Sequence, residues 1–158
     1  MSETPYQSEP LPLPTPEGEG ELTRADLKFF GIDHSGPSYQ ARVFLNNPDA
    51  NADTPREDEA GYVGSFHIFG HGGCFGDVGH CNVPSEPVQP FDLRLPHPLT
   101  PAAKTVIITD AFRRLREAGT REITVTVVPI VYETGLPSGR AMQGPVLKFD
   151  SVSLVTYE

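Results

Sequence analysis

The chain has 158 residues, a formal net charge of −9, no tryptophan, seventeen prolines, fifteen glycines, five histidines and two cysteines. That length suits one domain with a real core, while the acidic balance leaves no basic face for nucleic-acid phosphates or an anionic membrane surface. No apolar run reaches the roughly 20 residues of a membrane span, and the first residues lack the basic start and apolar block of a secretory signal. The expected location is therefore cytoplasmic, or outside the cell by export with a partner.

Residues 1–21 hold Pro5, Pro10, Pro12, Pro14 and Pro16 with five glutamates and no Lys or Arg. Such a stretch buries too little apolar surface to offset its ordering entropy, so it reads as a disordered Pro/Glu-rich tail or linker, with Leu11 and Leu13 as its docking points. A folded domain is expected over 22–158. Leu27, Phe29 and Ile32 predict a first strand over 26–32. After the turn signal His34-Ser35-Gly36-Pro37, Tyr39, Ala41, Val43 and Leu45 predict a second strand, paired with the first as an antiparallel hairpin.

Residues 49–60 are acidic and read as a surface loop. Tyr62 to Phe69 predicts a third strand with Val63, Ser65, His67 and Phe69 on one face and Phe66 and Ile68 on the other. A glycine-rich loop follows, then a proline-studded connection to Pro101 in which Pro96 and Pro98 fix the backbone around His97. Residues 105–108 read as a strand. A short helix capped by Thr109 or Asp110 then buries Ala111, Phe112 and Leu115 and ends at Gly119. The clearest strand covers 120–132, with Ile123, Val125, Val127 and Pro129 opposite Thr124, Thr126, Val128 and Ile130. A last strand spans 146–157. The expected fold is mainly β, an antiparallel β-sandwich (jelly-roll-like) of six or seven strands with one short helix.

The segments LKFFGID, YQARVFLNNP, AGYVGSFHIFGH, VIITDAFRRL, ITVTVVP and VLKFDSVSLV, in that order, are similar to the C-terminal (KFDV-like) domain of plant polyphenol oxidases. They are also similar to the C-terminal domains of bacterial tyrosinase-family proteins. The similarity covers about residues 22–155, and its most specific pieces are GSFHIFGHGGCFGDVGHC, the PHPLTP connection and the TDAFRRL–TVTVVP pair. The FDV-type element is matched in its first residues by Lys148-Phe149-Asp150, or loosely by Arg42-Val43-Phe44. The resemblance implies a β-sandwich that is not itself the oxidase but an accessory domain. It implies a partner, a tyrosinase-type oxidase domain whose copper site it shields or helps to load. A type-3 copper pair takes two sets of three histidines, and five histidines on a β pattern cannot supply them, so the chain alone is not expected to be a tyrosinase. No enzyme is expected, an enzyme with a mononuclear metal site on the glycine loop being the distant alternative.

The chemistry-bearing residues gather in one place. His67, His71, His80 and both cysteines, Cys74 and Cys81, fall within fifteen residues that also hold five glycines. Imidazole and thiolate together suit copper or zinc, and the expected ligands are His71, Cys74, His80 and Cys81, with His67 as a possible fifth. On a straight strand His67 and His71 would stand about 13 Å apart at about 3.3 Å per residue, so Gly70 must bend the chain for both to take part. The alternative is a disulfide between Cys74 and Cys81 across the short glycine loop, in a stand-alone structural or protein-binding sandwich whose partner is another protein. A type-1 copper site lacks its methionine near the cysteines, Met142 being distant. No nucleophile motif accompanies His34 or His97, and no phosphate loop follows the glycines.

Overall fold

The computed structural model describes residues 4–14, 21–34, 36–70, 91, 101–131 and 145–158. Within them the chain is mainly β, as the alternating apolar pattern requires. The strands are β1 (Tyr6–Gln7), β2 (Leu11–Pro12), β3 (Arg24–Ile32), β4 (Tyr39–Leu45), β5 (Tyr62–Ile68), β6 (Ala102–Ile107), β7 (Glu122–Ile123), β8 (Val125–Val131) and β9 (Ser151–Tyr157). One helix, α1 (Thr109–Glu117), lies between β6 and β7. All pairings are antiparallel: a four-stranded sheet in the order β1-β8-β4-β5, a three-stranded sheet in the order β6-β3-β9, and the short pair β2-β7.

The two larger sheets share one core. Ala25, Leu27, Phe29 and Ile32 of β3 pack with Tyr39, Ala41, Val43 and Leu45 of β4, Phe66 and Ile68 of β5, and Val125 and Val127 of β8. The Phe29 and Phe66 rings meet at 4.9 Å between centroids. Strand alternation sends these residues to one face and their neighbours to the other, except that an irregularity between Phe29 and Ile32, where Gly31 takes φ of 68°, returns Ile32 to the core face. On the far side of the four-stranded sheet, the loop after β4 folds back so that Ala50 buries with Phe44 and Val128 against Tyr62 and Ile130.

Six local expectations are corrected. First, residues 4–14 are not a disordered tail. Tyr6 pairs with Val127 and Leu11 with Ile123, and Leu13 is buried in the main core, because Tyr6, Leu11 and Leu13 supply enough apolar surface to dock. Second, β3 and β4 are not a hairpin. Each carries a core-facing apolar row, so they face one another across the core, and residues 33–38 carry the chain between layers about 10 Å apart.

Third, β5 is bulged: Val43 lies opposite Gly64 and Phe44 opposite Tyr62, which leaves Val63 as the extra residue. One inserted residue reverses the facing on either side of it. Val63 therefore packs on the main core, away from the exposed His67. Fourth, the long strand over 120–132 is interrupted at Thr124, whose backbone is clamped by Asn46: the Thr124 N–H donates to Asn46 Oδ1 at 2.9 Å, and the Asn46 N–H donates to the Thr124 carbonyl at 3.0 Å. Asn46 reaches this position with φ of 52°. Fifth, Thr109 does not cap α1; its hydroxyl accepts the Ala25 N–H at 3.1 Å and ties the helix to β3. Sixth, the final strand begins at Ser151, preceded by an irregular run in which Val146 is buried.

Truncating Phe29 to alanine should lower the unfolding free energy by about 3–5 kcal/mol, the usual cost of emptying a buried aromatic site. Urea denaturation checks this, and a loss under about 1 kcal/mol would show that the layers do not meet there.

Candidate functional site

Of the residues expected at the site, His67 is described. It lies on β5 opposite Gln40 of β4, with its side chain exposed on the face turned from the core. His71, Cys74, His80 and Cys81 fall outside the described residues, as do the alternative Cys74–Cys81 bridge, His97 and Met142. His34 is half-buried beside Asp33 in the β3–β4 connection.

The point from which the His/Cys stretch departs is well defined. Ile68 anchors the end of β5 in the core, whereas Phe69 is 83% exposed. The Gly70 N–H donates to Ser38 Oγ at 3.0 Å. A Cβ on Gly70 would lie 2.2 Å from the Gly36 carbonyl oxygen and 2.2 Å from the Pro37 carbonyl carbon, so only glycine allows this backbone approach. The chain thus enters the His/Cys stretch stitched to the segment that carries it from β3 to β4.

Tyr39 stands at the head of that segment. It is 2% exposed, and its hydroxyl is buried with no hydrogen-bond partner. Burial pushes the hydroxyl up to about 12, with the Asp33 carboxylate adding to the effect. Sequence alternation places Tyr39 on the core face but cannot show that its hydroxyl goes unpaired, since that depends on what packs above it.

A second surface lies on the outer face of the three-stranded sheet. Ile107 is 58% exposed, and Phe30 and Tyr157 are also exposed. The Arg24 guanidinium carbon and Lys28 Nζ sit 5.8 and 5.4 Å from the centre of the Tyr157 ring. Beneath them Asp26 is buried and accepts from Arg24 Nε at 2.7 Å, a contact that holds the guanidinium further toward its charged form. The signal for this surface was in the sequence, as apolar residues at both parities of β3.

For copper, which the family resemblance implies, or for zinc, the donor chemistry of this chain is suitable: borderline-soft imidazole and thiolate in one stretch. Among the described residues no group of three or more His, Cys, Asp or Glu side chains is arranged to hold a metal ion. Two open surface hollows, lined by Pro55, Arg56, Glu57 and Tyr62 and by Glu21, Leu22, Arg113, Arg116 and Glu117, bring no nucleophile and base together. No described helix is long and apolar enough to cross a membrane.

No protein-family model matches the chain, and no curated protein matches it. Among solved structures it is similar to a latent aurone synthase, a polyphenol oxidase, at 16% identity and a TM-score of 0.46. The similarity covers 98% of this chain and 24% of that one, so the chain spans about a quarter of that protein's length.

The Tyr39 hydroxyl makes a prediction with a definite sign. The unfolded chain ionises near pH 10 and the folded one near 12, so unfolding free energy falls as pH rises through that window. Tyr39→Phe should remove much of this slope and, by deleting an unpaired hydroxyl, be neutral or up to about 1 kcal/mol stabilising at pH 7. Tyr6, also pushed up by burial and by Glu9, leaves a residual slope in the variant. Urea unfolding at pH 7, 10 and 11 measures both; an unchanged slope contradicts the assignment.

Proposed function

We propose that this chain is a non-catalytic accessory domain of the kind that accompanies a type-3 copper oxidase, covering a tyrosinase-type partner or assisting its copper loading. What carries the reading is the segment GSFHIFGHGGCFGDVGHC, one of the most specific parts of the family resemblance, departing from β5 of an antiparallel sandwich at the Ser38–Gly70 stitch. The exposed Phe30, Ile107 and Tyr157 on the outer face of the three-stranded sheet, set among Arg24 and Lys28, offer surface for a partner.

In this reading His71, Cys74, His80 and Cys81 hold the metal, with His67 close by as a further donor. Copper is the expected ion, with zinc as the alternative. When bound, copper supplies a thiophilic, redox-active centre that can be passed to a partner site. The chain's own part is to present deprotonated thiolates and neutral imidazoles on a loop held at its start. A second reading, favoured by the same exposed apolar surface, is a stand-alone protein-binding sandwich in which a Cys74–Cys81 disulfide closes the loop. The two readings compete for the same sulfurs.

Metal analysis of the purified chain, a copper(I) titration and thiol titration without reductant separate them. The accessory reading predicts two titratable thiols and about one tightly bound copper per chain, lost in the Cys74→Ser/Cys81→Ser variant. Absence of both copper binding and free thiols would leave the disulfide-closed binding module.

A further inference from the structure

Residues 4–14 form a strap along the edge of the sandwich. The Ser8 N–H donates to the Val125 carbonyl at 2.9 Å, the Val125 N–H returns to Ser8 Oγ at 2.9 Å, and the Leu13 N–H donates to the Arg121 carbonyl at 2.8 Å. The Gln7 side-chain amide donates to the Pro48 carbonyl. The Tyr6 ring meets Phe149 edge-on at 4.5 Å, and Leu11 and Leu13 pack on the main core. Without the strap, the amides of β8 that face away from β4 would stand unpaired along an uncharged strand that is apolar except for Thr126. That is the kind of edge that recruits another strand.

The positions of the prolines show a pattern. Amide direction alternates along a strand. Ser8 and Leu13 donate inward, so the amide nitrogens of residues 5, 7, 12 and 14 face outward, away from the sheet. Three of those positions are Pro5, Pro12 and Pro14, which have no hydrogen to offer, and Gln7 alone among the four keeps an outward N–H. In β8, Val125 donates toward the strap, and by the same alternation residue 129 would donate on that side, beyond the end of the β1 pairing. That position is Pro129. Four prolines thus fall where an amide would otherwise invite a further strand.

We propose that the strap is a proline-blocked cap whose role is to stop this edge from pairing with the same edge of a second copy of the chain. The occupant is a second copy because β8 carries no charge from Val125 to Val131 and is apolar there except for Thr126, and two such edges pair antiparallel about a two-fold axis. Such pairing would extend the four-stranded sheet across both molecules. The cap leaves association to the other surfaces of the domain.

The test uses the full chain at physiological salt. Pro5→Thr, Pro12→Thr, Pro14→Thr and Pro129→Thr, combined, restore the outward amides while keeping the strap's inward contacts. Sedimentation velocity should show a doubling of mass relative to wild type at equal concentration, and hydrogen exchange should show protection at positions 12 and 129. A folded variant with wild-type mass overturns the proposal. Should that variant fail to fold, Leu11→Ala/Leu13→Ala loosens the strap instead. Association reversed by excess peptide of residues 4–14 then supports the proposal, and unchanged mass overturns it. A wild-type chain already paired through this edge, seen as slow exchange at position 7, also overturns it.

Discussion

The contact of Phe29 with Phe66 belongs to a chain of aromatic rings on which the remaining architecture depends. Phe29 meets Phe66 of β5 at 4.9 Å and Phe149 at 5.5 Å, and Phe149 meets Tyr6 of the strap at 4.5 Å. One run of tilted and edge-on rings therefore links the strand that leads into the His/Cys stretch, the central strand of the other sheet, and the N-terminal strap. Geometry of this kind adds about 0.5–1.5 kcal/mol per pair beyond the area buried. Phe149 is held in place by backbone bonds on either side: the Asp33 N–H donates to the Lys148 carbonyl and the Asp150 N–H to the Phe30 carbonyl, both at 2.9 Å. The Lys148-Phe149-Asp150 element thus has a structural use here, as the brace that locks the irregular run before β9 against β3.

Where a segment alternates cleanly and one face is buried, the sequence was enough to place it. β4 is the clearest case, with Tyr39, Ala41, Val43 and Leu45 in the core and Phe44 in the smaller cluster behind it. Pairing was less legible, because β3 and β4 each satisfy the hairpin pattern equally well whether they lie side by side or face to face. The bulge at Val63 was hidden for a different reason: one extra residue is compatible with the composition of β5 and is fixed by the register against Val43 and Phe44. The strap was hidden by the proline- and glutamate-rich composition of residues 1–21, which matches disorder, yet Pro5, Pro12 and Pro14 turn their nitrogens outward while Tyr6, Leu11 and Leu13 do the docking.

The site follows the same division. Residue types name its chemistry, since imidazole and thiolate among glycines point to a soft metal or to a disulfide, and no composition argument chooses between them. The platform beneath the stretch came only from the fold. Ser38 on the β3–β4 connection receives the Gly70 amide, and the Gly70 backbone fits against Gly36 and Pro37 with no room for a Cβ. Both parts join in the accessory reading: the sandwich fixes where the stretch begins, and its chemistry lies in the residue types of the stretch itself.

The measurement that bears most directly on that reading is copper loading of a tyrosinase-type oxidase domain co-expressed with this chain. An accessory, copper-handling domain predicts higher copper occupancy of the oxidase with wild type than with Cys74→Ser/Cys81→Ser, and a complex that survives purification. Equal occupancy with wild type, with the double variant and with no accessory chain, together with no complex, would contradict it.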